Sequence, residues 1–241
     1  MGEKTRLNGL LELQHLSKHF DRLRAVNDMN LSILAGKITG LIGPNGAGKT
    51  TLFNLITGVL KPDSGRIVFD GKDITHLKPY QIARLGIGRS WQLIRIFSKM
   101  TAMENLMIAA NLKRGDAQAY AMELLDLFDL TKEKNNYAGE LSTGQQKMLS
   151  IARILMLDAH LMLLDELAAG VNPSEQDKMM EVIHKLCDQD GKTFFIVEHD
   201  MDVIMGHCDR VICMNFGEKI AEGTSVEVQN DTGVIDAYFG A

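Results

Sequence analysis

The sequence predicts an α/β fold that contains an antiparallel β part and a helical insertion. Three observations indicate this class. The first third of the chain is rich in strand-like apolar segments, the middle third places apolar residues at the i, i+3 and i+4 spacing of helices, and the last third alternates strand-like runs with a helix. At 241 residues, the chain is long enough for one large domain with a sizeable core.

Apolar segments in the first third are predicted to be strands, at residues 10–16, 25–34, 37–42 and 65–69. The pair Asp70-Gly71 follows the last of them and predicts a hairpin turn. In the middle third, helices are predicted over residues 103–112, 117–130 and 143–157. The first of these helices has Thr101 as its N-cap and Glu104 at the N3 position, which is the pattern of a capping box.

The last third predicts a strand–helix–strand unit. Residues 161–164 and 193–197 are short, continuous apolar runs, as in parallel strands that are buried on both faces. Ser174–Asp190 is predicted to be a helix, because Pro173 precedes it and Gly191 closes it. Two parallel strands joined in this way need a right-handed crossover.

A glycine-rich segment has the pattern of a phosphate-binding loop, because residues 43–50 fit G-x-x-x-x-G-K-[ST]. Its glycines let backbone N–H groups converge on an anion, Lys49 adds a positive charge, and the Thr50 hydroxyl is suited to bind Mg²⁺. A predicted strand precedes the loop and a predicted helix follows it, so the phosphates are expected at a helix N-terminus. The candidate loop consists of Gly43, Pro44, Asn45, Gly46, Ala47, Gly48, Lys49, Thr50 and Thr51.

Two carboxylates follow the strand at residues 161–164, at the edge where ligands bind in open α/β sheets. Asp165 suits the coordination shell of Mg²⁺, directly or through water. Glu166 is then suited to polarise an attacking water as a general base. The adjacent pair favours ATP hydrolysis over phosphate transfer, and a GTPase is disfavoured because the chain has no Asn-Lys-x-Asp motif.

Ser142 and Gly144 precede a predicted helix and form a second candidate anion site. The alternative interpretation is that Ser142 merely caps the helix. A nucleotide needs only one γ-phosphate site in its own chain, so a second such site suits the nucleotide of another chain.

The order of these motifs, with Gln92 after Trp91 and His199 after the strand at residues 193–197, resembles that of the ATP-binding cassette (ABC) ATPase family. The resemblance covers essentially the whole chain. It implies the fold of a P-loop NTPase of the ABC ATPase type, with a RecA-like α/β core, an antiparallel β subdomain and a helical subdomain.

The resemblance also implies how the chain is divided. Residues 1–241 are expected to form a single ABC ATPase domain. Within it, residues 1–90 and 160–223 are expected to form the catalytic α/β core with the antiparallel β part. Residues 91–158 are expected to form the helical lobe, and residues 224–241 the C-terminal tail helices.

Contacts to ATP and Mg²⁺ follow from the resemblance residue by residue. Phe20 falls where the family stacks an aromatic ring on adenine, and Val26 where an aliphatic residue packs beside the sugar and base. Gln92 matches the glutamine that reaches Mg²⁺ and the attacking water, and His199 matches the histidine that contacts the γ-phosphate. The expected catalytic residues are Glu166, His199, Gln92 and Lys49, and the expected Mg²⁺ ligands are Thr50, Gln92 and Asp165.

The resemblance further implies that two ATP-binding subunits form a head-to-tail dimer, in which Ser142, Gly144 and Gln145 close over ATP held by the partner. Three positions depart from the family's usual residues. Thr143 replaces a glycine, Leu167 stands where proline is usual and is expected to loosen the placement of Glu166, and Asn172 stands where aspartate is common at the dimer interface.

The segment Trp91–Met100 is unusually apolar for a surface loop and is expected to receive a short helix from a transmembrane permease subunit. Residues 165–173, 198–205 and 234–240 are similar to those of branched-chain amino acid importer ATPases. This similarity implies a peripheral subunit on the cytoplasmic face of the cell membrane that works indirectly with a substrate-binding protein. A urea or amide importer, lipopolysaccharide export and a non-transport soluble ABC ATPase are the alternatives.

Composition limits the other classes of function. The net charge of −5 argues against a general nucleic-acid binder, since no basic surplus is present to neutralise phosphates. No apolar run approaches the roughly 18 residues that span a bilayer. Cys187, Cys208 and Cys213 show no metal-binding or redox spacing and are expected to be reduced thiols.

Overall fold

The computed structural model describes residues 9–110, 115–198 and 200–239, which form two compact units. The first unit contains the described residues up to Ile82 and from Ile204 onward, and the second contains those from Ala83 to Val203. Among the described residues, no helix has the length and apolar character needed to cross a membrane. The division into catalytic core, helical lobe and tail stays a prediction.

The described residues contain both strands and helices, with bounds as follows. The strands are β1 (Leu11–Phe20), β2 (Leu23–Ile33), β3 (Ile38–Ile42), β4 (Ser64–Phe69), β5 (Lys72–Asp73), β6 (Ile87–Arg89), β7 (Leu161–Asp165), β8 (Thr193–Val197), β9 (Arg210–Asn215) and β10 (Glu218–Gly223). The helices are α1 (Lys49–Ile56), α2 (Pro79–Arg84), α3 (Ala102–Ile108), α4 (Ala117–Leu127), α5 (Thr143–Met156), α6 (Pro173–Asp190), α7 (Met201–His207), α8 (Ser225–Gln229) and α9 (Thr232–Phe239).

An antiparallel sheet in the order β2-β1-β4-β5 belongs to the first unit. Its inner face is apolar: Leu11 of β1 lies opposite Ile33 of β2 and Phe69 of β4, and all three are buried. Asp70 and Gly71 join β4 to β5 with φ angles of +47° and +71°, which confirms the predicted hairpin turn.

The first unit also contains the strand and helix that flank the glycine loop. All five residues of β3 are buried, and β3 pairs in parallel with β9, which pairs antiparallel with β10. After the loop, α1 buries Leu52, Phe53, Leu55 and Ile56, and Gly58 follows its C-cap with a φ of +70°. The predicted order of strand, loop and helix is therefore confirmed.

In the second unit, β6, β7 and β8 are parallel in the order β8-β7-β6. All residues of β7 and β8 are buried, as the continuous apolar runs predict. The intervening helix α6 has Asn172 as its N-cap, Pro173 as its first residue and Gly191 as its C-cap. This confirms the predicted βαβ unit and places Asp165 at the carboxyl end of β7.

Helices α3, α4 and α5 pack against one another in the second unit. The capping box predicted at Thr101 and Glu104 is confirmed at the start of α3. Helix α4 ends at Leu127, earlier than predicted, because Phe128 forms its C-cap and Asp129 has a φ of +56°. Helix α3 also ends earlier than predicted, at Ile108, with Ala109 as its C-cap. Residue 112, the predicted end, lies outside the described residues.

Several short elements were not predicted from the sequence, and their local signals are weak. Strand β6 has only three residues, and its central Gly88 packs so closely that an added Cβ would lie 2.1 Å from Cγ2 of Ile154. Half of the residues of strand β10 are charged and the strand is only half-buried, so it lacks a strand-like apolar pattern. By contrast, the apolar run of β9 was a usable signal.

Asn105 fixes the segment that precedes α3, and its replacement should be costly. The side chain is fully buried; Oδ1 accepts a hydrogen bond from the N–H of Phe97 at 2.9 Å, and Nδ2 donates to the carbonyl oxygens of Phe97 at 3.0 Å and Thr101 at 2.9 Å. We expect Asn105→Ala to lower the free energy of unfolding by about 1–3 kcal/mol, because buried backbone groups lose their partners. Urea denaturation tests this, with the exposed Asn135→Ala as control. Equal stability of the two variants would contradict the prediction.

Candidate nucleotide-binding site

The glycine loop adopts backbone conformations that require its glycines. Gly43, Gly46 and Gly48 have φ angles of +149°, +81° and +104°. A Cβ on Gly43 would lie 2.2 Å from the carbonyl oxygen of Met214, and one on Gly48 would lie 2.2 Å from that of Ala25. The loop can therefore turn tightly into the N-terminus of α1 only with glycine at these positions.

Lys49 is the first residue of α1 and is only 6% exposed. Its ammonium group donates hydrogen bonds to the carbonyl oxygens of Gly43 and Pro44, the latter at 3.1 Å. These acceptors are neutral, and phosphate oxygens are stronger acceptors for an ammonium group. The Gly48 N-cap has no side-chain hydrogen bond to α1, so this helix N-terminus suits a phosphate.

The remaining loop residues differ in exposure. Asn45, Gly46 and Thr50 are exposed, Ala47 is buried, and Pro44, Gly48 and Thr51 are half-buried. Thr50 is exposed, and the binding of its hydroxyl to a metal ion stays a prediction.

The two residues expected beside the base and sugar lie in different environments. Phe20 ends β1 with 43% of its surface exposed, and the Lys18 ammonium lies 5.6 Å from its ring centroid. A partly exposed aromatic ring is suited to stack on a base. Val26 has no exposed surface and packs in the core of the first unit, so its contact with a nucleotide stays a prediction.

Asp165 forms a buried ion pair at the end of β7. A side-chain nitrogen of Arg89 lies 3.1 Å from Oδ2 of Asp165, and each side chain is only 5% exposed. Burial lowers the pKa of Arg89, and the hydrogen bond to Asp165 opposes this shift. The Asp165 backbone N–H donates to Oγ of Ser90 at 3.0 Å, which fixes the main chain at the end of β7.

Glu166 and Gln92 lie in direct contact. Nε2 of Gln92 donates to Oε2 of Glu166 at 2.7 Å, although the residues are 74 positions apart. Glu166 has a φ of +52°, an uncommon conformation for a residue with a side chain, and its N–H donates to the carbonyl of Val197 at 2.9 Å. The structure thus brings together two of the four residues expected to be catalytic. The third, Lys49, belongs to the other unit, and His199 lies outside the described residues.

The second candidate anion site, at the N-terminus of α5, binds a carboxylate of its own chain. Ser142 is the N-cap, its N–H donates to Oε1 of Gln145 at 3.0 Å, and its hydroxyl donates to Oε1 of Glu175 at 3.2 Å. Oε2 of Glu175 would lie 2.6 Å from a Cβ on Gly144, so the carboxylate packs directly over that glycine. Asn172 caps α6 and its amide donates to Oε2 of Glu175 at 2.6 Å. An aspartate in place of Asn172 would instead put a second negative charge beside the Glu175 carboxylate.

Two buried charged residues that the sequence analysis missed surround the turn after Glu166. Lys147 donates to three carbonyl oxygens of that turn, and Glu198 accepts from the N–H of Ala168 at 2.8 Å. The sequence offered one signal for each residue. Lys147 is a lysine among the apolar residues of α5, and Glu198 is a glutamate directly after the apolar β8.

Comparisons with known proteins agree with this geometry. The chain matches the family model described as ABC transporter over residues 26–169, and that described as branched-chain amino acid ATP-binding cassette transporter over residues 218–241. It is similar to the high-affinity branched-chain amino acid transport ATP-binding protein BraF of Pseudomonas aeruginosa. The two are 38% identical over 249 residues, which cover 96% of this chain and 98% of that protein.

Solved structures show the same similarity. A nucleotide-free ATP-binding cassette from an ABC transporter superposes with a TM-score of 0.88 and 32% identity, covering 96% of this chain and 99% of that one. A bacterial ABC transporter cassette solved as a dimer gives a TM-score of 0.79 and 27% identity, covering 89% of this chain and 98% of that one.

Glu198 should make the stability of the chain depend on pH. Burial raises its pKa from 4.5 to about 7, while hydrogen bonds from the turn and the charge of Lys147 act in the opposite direction. Between these two pKa values the folded chain holds a proton that the unfolded chain has released, so this contribution to stability is lost as the pH rises through about 7.

We therefore expect Glu198→Gln to gain stability relative to wild type as the pH rises from 4.5 to about 7, the interval between the pKa of Glu198 in the unfolded and in the folded chain. The free energy of unfolding, measured at several pH values, checks this. The exposed Glu181→Gln on α6 serves as control. A constant difference between Glu198→Gln and wild type across the range would contradict the prediction.

Proposed function

This chain belongs to the ABC transporter family of ATP-binding cassettes, and from this membership we propose that it hydrolyses ATP to drive the import of branched-chain amino acids. The contact of Gln92 with Glu166 at 2.7 Å supports the hydrolase function most directly, because it holds a carboxylate and an amide where both can contact one water. The transported solute is inferred from the similarity to BraF and from the match over residues 218–241.

In the proposed reaction, Lys49 exchanges its bonds with Gly43 and Pro44 for bonds to the β- and γ-phosphates of ATP. The backbone N–H groups at the start of α1 bind the same phosphates, and Phe20 stacks on the adenine ring. Glu166 accepts a proton from the attacking water, which Gln92 helps to orient. His199 is proposed to contact the γ-phosphate.

Mg²⁺ is the proposed metal cofactor, with Thr50, Asp165 and Gln92 as the protein groups that would hold it. Their donor atoms are oxygens, and the described residues contain no cluster of three or more His, Cys, Asp or Glu side chains. This donor set fits Mg²⁺, which commonly uses one or two carboxylates together with phosphates and waters. When bound, Mg²⁺ would neutralise charge on the phosphates.

We further propose that two ATP-binding subunits associate head to tail. The γ-phosphate held by one subunit would then meet Ser142, Gly144 and Gln145 of the other. Glu175 supports this proposal, because its carboxylate already accepts the Ser142 hydroxyl and shows that an anion fits at this helix N-terminus. On dimer closure the phosphate would displace Glu175.

The permease is proposed to dock on the segment from Trp91 to Met100, which would place the chain on the cytoplasmic face of the membrane. Leu93 is 81% exposed and Phe97 is 45% exposed, and such apolar side chains suit the binding of a short helix. The Arg89 and Arg95 guanidiniums lie 4.3 and 3.9 Å from the Trp91 ring centroid, which fixes the start of the segment. A substrate-binding protein would act through the permease.

Glu166→Gln tests the proposed base. We expect it to bind ATP and to dimerise, but to hydrolyse ATP at least about 100-fold more slowly, because the neutral amide cannot accept the proton. Steady-state phosphate release and fluorescent-nucleotide binding measure the two properties. Lys49→Ala is the contrasting variant and should lose nucleotide affinity. Turnover at the wild-type rate in Glu166→Gln would remove this residue from the role of base.

Leu93→Asp tests the docking surface. We expect unchanged ATP hydrolysis by the isolated subunit but loss of leucine-stimulated hydrolysis after reconstitution with permease and binding protein, because a charge cannot enter an apolar groove. Val226→Asp is the matched control, since Val226 is 67% exposed in α8. If both variants retain stimulation by leucine, the segment is not the docking site. If wild type shows none with any branched-chain amino acid, the proposed solute is wrong.

A further inference from the structure

We propose that Lys147 and Glu198 are positioning residues that hold the turn carrying Glu166 and connect it to the helix that begins at Ser142. This inference rests on the proposed role of Glu166 as the general base. It assigns a function to two buried charges that do not belong to the phosphate loop.

Lys147 is only 6% exposed, and its ammonium group donates three hydrogen bonds. The acceptors are the carbonyl oxygens of Glu166 at 2.7 Å, Leu167 at 2.8 Å and Ala169 at 2.6 Å. An ammonium group has three N–H donors, so this turn accepts all of them. One side chain therefore fixes the direction of three peptide groups in the turn, including that of Glu166 itself.

Glu198 accepts hydrogen bonds from backbone N–H groups of the same turn. It is 3% exposed, and its carboxylate accepts from the N–H of Ala168 at 2.8 Å and also from that of Leu167. Lys147 thus satisfies the acceptors of the turn and Glu198 satisfies its donors. When Glu198 is ionised, the two side chains carry opposite charges, which reduces the cost of burying either one.

Leu167 now has a structural role. A proline here would lack the N–H that Leu167 donates to Glu198. The chain therefore holds the turn by hydrogen bonds to buried charges, which offsets the freedom that the missing proline would leave. These bonds also support the uncommon φ of +52° at Glu166, since such a conformation persists only where its surroundings determine it.

The position of Lys147 on α5 connects two functional regions. The N-terminus of α5 carries Ser142, Gly144 and Gln145, the groups proposed to meet the partner's γ-phosphate. Lys147 lies in the second turn of the same helix, so a displacement of that N-terminus along the helix axis moves its ammonium group as well. Through three hydrogen bonds the displacement reaches the backbone of Glu166. Binding of ATP by one subunit would thereby adjust the base that serves the ATP of the other site.

Lys147→Met tests the inference, because methionine fills similar space without donating hydrogen bonds. We expect kcat for ATP hydrolysis by the full chain to fall about 10- to 100-fold, since small misplacements of a catalytic group have effects of this size. The KM for ATP should stay within about twofold and the Hill coefficient for ATP should approach about 1, since the binding loop is unchanged but the link between sites is lost. Lys147→Arg keeps charge and donors and should restore part of kcat.

Lys178→Met on α6 is the matched control, since this lysine is 60% exposed, and it should behave as wild type. If Lys147→Met does not fold, Lys147→Gln replaces it; glutamine is shorter and keeps only two donors, so kcat should fall by less than about 10-fold and the Hill coefficient should still decrease. A folded variant with wild-type kcat and Hill coefficient would overturn the inference. A fall in kcat matched only by a fall in the folded fraction would overturn it too.

Two variants distinguish the positioning role of Lys147 from the role of Glu166 as the base. If Glu166→Gln is inactive while Lys147→Met is fully active, the base is retained and only the positioning role is wrong. If Glu166→Gln is fully active, Glu166 is not the base, and Lys147 then has no catalytic base to position.

Discussion

A buried ammonium group must have acceptors for its N–H donors, and this requirement shapes both candidate loops. Lys49 and Lys147 are each only 6% exposed, and each donates to carbonyl oxygens of a turn that contains positive φ angles. Charged hydrogen bonds of this kind are stronger than neutral ones, so each lysine can hold an otherwise unfavourable backbone. The chain thus uses the same interaction at the phosphate loop and at the turn after β7.

The two lysines nevertheless differ in what can replace their acceptors. Lys49 donates to the carbonyls of Gly43 and Pro44, which are neutral and can be exchanged for the phosphates of a nucleotide. Lys147 donates to three carbonyls and also lies near Glu198; burial lowers the pKa of Lys147, and the Glu198 carboxylate opposes this shift. The first arrangement suits a group that binds a ligand, and the second suits a group that supports others.

Glu175 shows how a chain can satisfy an anion site before a ligand arrives. Its carboxylate accepts the Ser142 hydroxyl and packs over Gly144, while Asn172 donates to it. The asparagine in place of the family's common aspartate is therefore compatible with this local network, because its amide adds a donor rather than a second negative charge. A phosphate that enters here must compete with a carboxylate, so closure of the head-to-tail dimer that we propose would be favoured only when ATP is bound.

The sequence by itself determined the elements whose cause is local. The glycines of the loop, the capping box of α3, the hairpin at Asp70-Gly71 and the βαβ unit all depend on residues a few positions apart, and the structure confirms each of them. Only the tertiary structure decided which distant side chains meet. Arg89 pairs with Asp165 76 positions away, Gln92 reaches Glu166, and Lys147 and Glu198 converge on one turn. Charge and hydrogen bonding act through space, so a pattern of spacing along the chain carries no record of them until the strands and helices have packed.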